Sequence, residues 1–364
     1  WGESFVDHLH GMFAVAIWDA RSRELILARD RVGKKPLLYA TTGDGGLVFA
    51  SEARAILRGG WKARPDFAAL NHVLAFGYSP IDSSAFEGIS SLPPAHTLIW
   101  RDGRTTIRRY WNLDWRRPQN VTIAGAIDGT HSVVKEAIRR RLIGERPLGV
   151  FLSGGIDSTV VAAMANELQG EPISTFTVSF SDSRFDEAAY AEQVAKHLGT
   201  LHHTITVHPD PYLVGETIPR IFDQPFADSS ALPSYLLAKF ASEHIVVALG
   251  GDGGDEAFTG YDRYLAVPRL QKWNTALTLA APLAGATARI ASKTGDRRLQ
   301  RVARALRGYP NLETRYRALM TLTQSSARQE LWNHHVINTQ TLHTPESEFA
   351  RMWLTSPVDS GIVH

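Results

Sequence analysis

The sequence predicts an α/β protein in which a parallel-sheet domain follows a smaller, mainly β segment. Three observations predict it. Residues 147–152 form an apolar run that breaks into Ser153-Gly154-Gly155 and then into an amphipathic pattern. A second apolar run, Ile245 to Leu249, ends in Gly250-Gly251-Asp252-Gly253-Gly254-Asp255-Glu256. Before residue 114 the chain instead shows short strand signals separated by polar turns.

In chain order, Phe13 to Ile17 and Leu25 to Ala28 read as strands, and Thr42-Gly43-Asp44-Gly45-Gly46 and Arg101-Asp102-Gly103 as hairpin turns. Trp115-Arg116-Arg117-Pro118-Gln119-Asn120, polar and broken by proline, reads as a linker. Pro147 to Leu152 is a buried strand. The helix after it carries Ile156, Val160, Val161, Met164 and Leu168 at helical spacing until Gly170 ends the pattern. Ile173 to Phe180 is strand-like and rich in β-branched residues. Asp186 to Leu198 is a helix opened by acidic residues and closed by Gly199, and His203 to Val207 is a further strand. Strands alternating with helices argue for a parallel sheet covered on both faces.

The turn at residues 153–158 opens a helix, so its backbone N–H groups and positive dipole end favour an anion. Gly154 and Gly155 let that anion approach the main chain, and Ser153 and Ser158 add hydroxyls. It is not a Walker loop, because no lysine lies between Lys135 and Lys196. Asp157 stands at the helix start instead. A carboxylate beside a triphosphate needs a cation between them, so the turn points to ATP with Mg2+ partly held by Asp157. The plainer alternative is a strand-turn-helix with a serine cap.

The second turn packs four glycines and three carboxylates into seven residues. Glycines cost conformational entropy and unpaired carboxylates resist burial, so this is no core segment. At a strand end such carboxylates hold a metal or move a proton. A calcium loop would spread its ligands over twelve residues at alternate positions, which this turn does not do.

Together these segments resemble the glutamine-dependent asparagine synthetases, whose synthetase half is a PP-loop ATP pyrophosphatase of the adenine nucleotide alpha hydrolase-like fold. The resemblance extends to Arg29-Asp30-Arg31-Val32-Gly33-Lys34-Lys35-Pro36-Leu37-Leu38-Tyr39, Phe49-Ala50-Ser51-Glu52, Leu92-Pro93-Pro94-Ala95-His96 and Tyr110-Trp111. It continues through Phe185-Asp186-Glu187, Leu198 to His203, Asp223-Gln224-Pro225-Phe226-Ala227-Asp228 and Gly260-Tyr261, and fades after Tyr264. It implies that residues 1–114 are the rear part of a class II glutamine amidotransferase domain of the N-terminal-nucleophile type, 115–125 a linker, and 126–364 the ATP-binding synthetase domain.

The implied reaction attacks the α-phosphate of ATP with a carboxylate, aspartate in the name-giving members. Pyrophosphate leaves an acyl-adenylate, and ammonia derived from glutamine then displaces AMP. By the same resemblance Leu152, Ser153, Gly154, Gly155, Asp157, Ser158, Val178, Gly250 and Gly251 bind ATP and its pyrophosphate. Asp157 and Asp255 hold magnesium, and Asp252 is the catalytic carboxylate, shorter here than the glutamate frequent in the family. The partners are small molecules: ATP, aspartate or a related acid, and ammonia. The setting implied is cytoplasmic, and a homodimer is compatible with it. Amidation of a different acid, in a cell-surface or secondary-metabolite pathway, and a PP-loop enzyme acting on nucleic acid are the alternatives.

Length supports two domains with cores of their own. The chain has no cysteine, so it holds no disulfide framework. It opens on Trp1-Gly2-Glu3, and the family's nucleophilic cysteine and glutamine-binding segments have no counterpart in it. The family's late lysine and proline-phenylalanine-leucine-aspartate segment are equally missing before His364. The sequence thus reads as shortened at both ends and not competent in glutamine hydrolysis. Asp223, Asp228 and Ser229 are expected near the ATP cleft.

Ala276 to Ala291, interrupted by Pro282 and Arg289, is shorter than the ~20 residues a membrane span needs and reads as a packed helix pair. Arg139-Arg140-Arg141 and the run Lys293, Arg297, Arg298, Arg301, Arg304 and Arg307 read as solvated basic helix faces. With a formal net charge of +2, they do not point to nucleic acid. His202 and His203, adjacent in a strand, point to opposite faces and do not read as a metal pair.

Overall fold

The computed structural model describes residues 1–113, 121–181, 186–208, 210, 212–279, 289–290, 311–332 and 344–355. The linker at 115–120 and the basic run from Lys293 to Arg307 lie outside the described residues, as does most of the segment from Ala276 to Ala291. The chain forms two compact units that do not follow its linear order. One comprises Trp1–Arg117, Pro219–Asp228 and Val267–His364, the other Pro118–Ile218 and Ser229–Ala266.

The first unit begins with antiparallel β structure. Its strands are β1 (Ala14–Asp19), β2 (Glu24–Arg29), β3 (Leu38–Thr41), β4 (Leu47–Ala50), β5 (Ser90–Ser91), β6 (His96–Arg101) and β7 (Arg104–Arg109). They make two sheets, ordered β1-β2-β6-β7 and β4-β3-β5. The expected hairpin turns join β3 to β4 and β6 to β7, where Thr41 pairs with Leu47 and Arg101 with Arg104. Leu27, Leu37, Leu92 and Leu98 form one core cluster. Leu38, Ala40 and Ile89 form another with Ala53 and Ile56 of helix α1 (Ala53–Arg58). Helix α2 (Phe67–Phe76) starts at Asp66, whose carboxylate accepts the N–H groups of Ala68 and Ala69.

The segment from Arg29 to Lys35 knots itself. Asp30, fully buried, accepts N–H bonds from Phe13, Val32, Lys34 and Lys35 at 2.9–3.3 Å. The Arg29 guanidinium donates to the carbonyls of Gly33, Lys35 and Leu92 and to Ser91 Oγ. Tyr110 Oη donates to the Arg29 carbonyl at 2.7 Å. A buried carboxylate with four N–H partners and a half-buried guanidinium with four acceptors satisfy the condition for taking charge out of water.

Asp223 has a structural role that the sequence reading did not assign. It belongs to the first unit, where its carboxylate accepts the N–H groups of Ala53 and Arg54, the first residues of α1, and the Nε of Arg54. Arg54 also donates to the carbonyls of Arg220 and Ile221 at 3.2 and 2.9 Å. Gln224 Oε1 accepts the Ala85 N–H. A helix N-terminus takes its cap from whatever carboxylate reaches it, near or far in sequence. Asp228 falls in the same unit and Ser229 in the other. Later helices, Ser325–Leu331 and Pro345–Thr355, complete the unit around buried Arg328, which binds Asn71 at 2.9 Å, the Thr323 carbonyl and Glu346.

The second unit is the α/β domain. It contains α3 (Ile123–Arg141), β8 (Leu148–Phe151), α4 (Ile156–Gln169), β9 (Ser174–Phe180), α5 (Ala188–Leu198) and β10 (Leu201–Val207). Short α6 (Ile218–Ile221) leads out of it. The chain returns as α7 (Ala231–Ala241), β11 (Val247–Leu249), α8 (Gly254–Phe258) and the start of α9 (Asp262–Leu279). The sheet runs β10-β9-β8-β11, with all three strand pairs parallel. One face buries Val150, Leu152 and Ile173 under Ala162 and Ala165 of α4 and Ala191 and Ala195 of α5. The other buries Phe176 and Ile245 under Ala241 of α7.

Two residues of the predicted α4 stripe face elsewhere. Ile156 is 83% and Val160 37% exposed, and the alanines at 162 and 165 are fully buried instead. The Arg139-Arg140-Arg141 stretch ends α3, where Arg139 and Arg140 both pair with Glu136 and suit the negative end of the helix dipole. No helix of the described residues is long and apolar enough to cross a membrane.

Candidate active site

Strands 8, 9 and 10 are laid down in succession to one side, and the chain then crosses back to place β11 on the other side of β8. The order therefore reverses between β8 and β11. In an open parallel sheet, the crevice at the carboxyl ends of such a pair is where ligands bind. The two turns singled out in the sequence, 153–158 and 250–256, follow these two strands.

The first turn is closed by its own hydroxyls. Ser153 Oγ and Ser158 Oγ lie 3.0 Å apart, the Ser153 N–H donates to Ser158 Oγ, and the Gly155 N–H donates to Ser153 Oγ. Ser158 is buried and also donates to the Gly155 carbonyl, so its hydroxyl serves the loop. Gly154 has a φ of 82° and packs against α5: a Cβ there would fall 2.7 Å from the Ala191 nitrogen and from Tyr190 Cβ. Only glycine meets both demands. Leu152 is buried; its N–H binds the Phe176 carbonyl and its own carbonyl accepts Thr177 Oγ1. Val178 lies two residues beyond Phe176, the last β9 residue paired with β8, on the side towards which the turns open.

The second turn presses onto the first. A Cβ on Gly251 would lie 2.8 Å from the Ser158 nitrogen and 3.0 Å from Asp157 Cβ. One on Gly254 would lie 2.4 Å from Asp157 Cγ. Contacts under 3.0 Å are sterically excluded, so the glycines are there to let the acidic turn touch the start of α4. Asp157 and Asp255 are half-buried, Asp252 is exposed, and the carboxylate of Asp252 folds back towards Gly250. No described lysine, arginine or histidine forms an ion pair with any of the three.

Two half-buried carboxylates without a basic partner fit a cation. Among the described residues no group of three or more His, Asp or Glu converges on one point. Mg2+ commonly takes one or two protein carboxylates and completes its shell with phosphate oxygens and water.

Asp186 has a role the sequence did not disclose. Its carboxylate accepts the N–H groups of Phe180 and Ala188 and the hydroxyl of Ser179, all at 3.2 Å, tying the end of β9 to the start of α5. An Asx-type bond two residues before a helix was the signal available. His202 and His203 do not converge. Nδ1 of His202 bonds Thr175, and His203 stacks between Phe176 and His244 at 4.9 and 4.8 Å. Burial holds both imidazoles below their ordinary value, with His244 adding to the effect on His203.

Fold and site together define an open α/β domain with glycine-rich, carboxylate-bearing turns at its switch point. Family models agree and refine this: residues 129–356 match "Asparagine synthase" and residues 1–111 match "Glutamine amidotransferase domain". The chain belongs to the asparagine synthase family. It is 32% identical over 266 residues to asparagine synthetase [glutamine-hydrolyzing] 1 of Bacillus subtilis, covering 72% of this chain and 41% of that protein. It is 33% identical over 276 residues to a putative asparagine synthetase [glutamine-hydrolyzing] of Mycobacterium tuberculosis, covering 72% and 42%. The chain thus spans about two fifths of the length of these relatives. Among solved structures, NMN synthetase from Francisella tularensis aligns with a TM-score of 0.28 at 19% identity, over 37% of this chain and 58% of that one.

Proposed function

We propose that the chain is the nucleotide-binding part of an ATP-dependent amide ligase, which activates a carboxylate, aspartate first among candidates, as an acyl-adenylate and amidates it with ammonia. The observation that carries this is the contact between the two turns, with Asp157 against Gly254 at the switch point of the sheet. The β- and γ-phosphates rest on the N-terminal turn of α4, where the Ser153–Ser158 pair has already fixed the main chain. That leaves the α-phosphate as the electrophile for the acid. Asp157 and Asp255 would hold Mg2+, which offsets the charge that develops on the departing pyrophosphate.

In the second step ammonia attacks the acyl carbon, AMP leaves with the bonding electrons, and the nitrogen sheds one proton. Asp252, exposed at the mouth of the turn, accepts that proton and passes it to water. Asp is one methylene shorter than Glu, so Asp252 serves a substrate carbon held correspondingly closer.

Product identification on the full-length gene product tests the reading. MgATP, ammonium and a panel of acids led by aspartate are the reactants. AMP and pyrophosphate with asparagine is the expected outcome. The same products only with another acid would keep the chemistry and replace aspartate; ADP, or no turnover with any acid, would overturn it.

A further inference from the structure

The acidic turn is gripped from its outer side by residues that the reaction itself does not call on. Helix α8 has five residues and none of them is buried, so neither its length nor a core holds it in place. The chain reverses after it through Thr259, at a φ of 58°, and Gly260. The Gly260 N–H donates to the Asp255 carbonyl at 2.9 Å. A Cβ on Gly260 would fall 2.0 Å from Asp255 Oδ1, so the reversed chain lies directly on that carboxylate. Tyr261 Oη then donates to Glu256 Oε1 at 3.0 Å, closing a ring from Asp255 to Tyr261. The Arg263 guanidinium stands 4.5 Å over the Tyr261 ring, a cation–π contact that restrains the ring.

We propose that Tyr261 is a positioning residue: by holding Glu256 it fixes the reversal at Gly260, which sets the direction of the Asp255 carboxylate towards the metal–nucleotide. The inference rests on the ligase reading above in taking Asp255 as a metal-holding group. Tyr261 touches neither nucleotide nor acid in this scheme. It acts through Asp255, and its hydroxyl matters while its ring alone does not suffice.

The test is Mn2+ affinity of the full-length protein with a non-hydrolysable ATP analogue bound, read by electron paramagnetic resonance beside the melting temperature. Tyr261→Phe weakens Mn2+ about three- to ten-fold, the range of one net hydrogen bond, without moving the melting temperature. Glu256→Ala does the same, and the double variant is no worse than either alone. Glu256→Gln, whose amide oxygen still accepts the tyrosine hydroxyl, binds as wild type does. In turnover, Tyr261→Phe raises the Mg2+ concentration for half-maximal rate more than it lowers kcat. Unchanged Mn2+ affinity in Tyr261→Phe alongside a large loss in Asp255→Asn overturns the inference, as does additivity of the two losses. Wild-type affinity in Asp255→Asn overturns the ligase-site reading instead.

Discussion

The carboxyl group of Asp157 lies flat against Gly254, filling the space that any side chain at position 254 would need. The start of α4 and the acidic turn are therefore one mechanical unit, and the glycine is a spacer of zero thickness.

Gly254→Ala forces Asp157 out of this position. With Asp157 half-exposed, the stability cost stays below about 1 kcal/mol, at the low end for an overpacked site. ATP–pyrophosphate exchange falls at least about ten-fold. Asp157→Ala removes exchange altogether with unchanged circular dichroism. Normal exchange by a folded Asp157→Ala protein would take this carboxylate out of the mechanism.

Asp223→Ala strips α1 of its N-cap, because the local cap residue, Glu52, makes no side-chain cap bond. The expected loss is about 1–2 kcal/mol in chemical denaturation, with Arg54 left to solvent. Asp223→Asn keeps one acceptor oxygen and recovers about half of it. Equal stability of all three proteins would show the cap to be dispensable.

Burial pushes the Tyr110 hydroxyl up to about 12, and the Asp30 carboxylate adds to the effect. The unfolded chain ionises near the ordinary phenol value of 10.0 and so loses the proton first. Stability must then fall as pH rises from 10 to 12, and Tyr110→Phe, which has nothing to ionise, flattens that window. Denaturation midpoints across the range decide it.

The two strand histidines act at the other end of the scale. Burial holds their imidazoles below the ordinary value, so below that value the unfolded chain binds more protons than the folded chain. Stability is full above the unfolded value of 6.5 and declines as pH drops below it. His203→Phe keeps the stack on Phe176 and removes part of the decline, which melting curves between pH 7 and 5 would show.

Much of this was legible in the sequence. The strands at 148–151 and 174–180, the helix stopped by Gly170, both hairpins and both glycine turns follow from local periodicity and turn chemistry. Ile156 and Val160 were misplaced because spacing gives a stripe without saying which residues the sheet lets close; Ala162 and Ala165 are buried in their stead. Asp223 was invisible for a different reason. Its partner is 170 residues away, and no local pattern encodes a cap supplied from that distance.

The discontinuity of the first unit carries a consequence for the order of synthesis. Its earliest residues wait for partners made much later: Ala53 for Asp223, and Asn71 for Arg328, 257 residues further on. At the usual pace of translation the second wait is roughly ten to fifty seconds. In that interval every strand of the β10-β9-β8-β11 sheet has left the ribosome and can close, while the unit begun first is still open. Of these two units, the one begun first is finished last, and its unclosed edges are what a nascent-chain chaperone would meet.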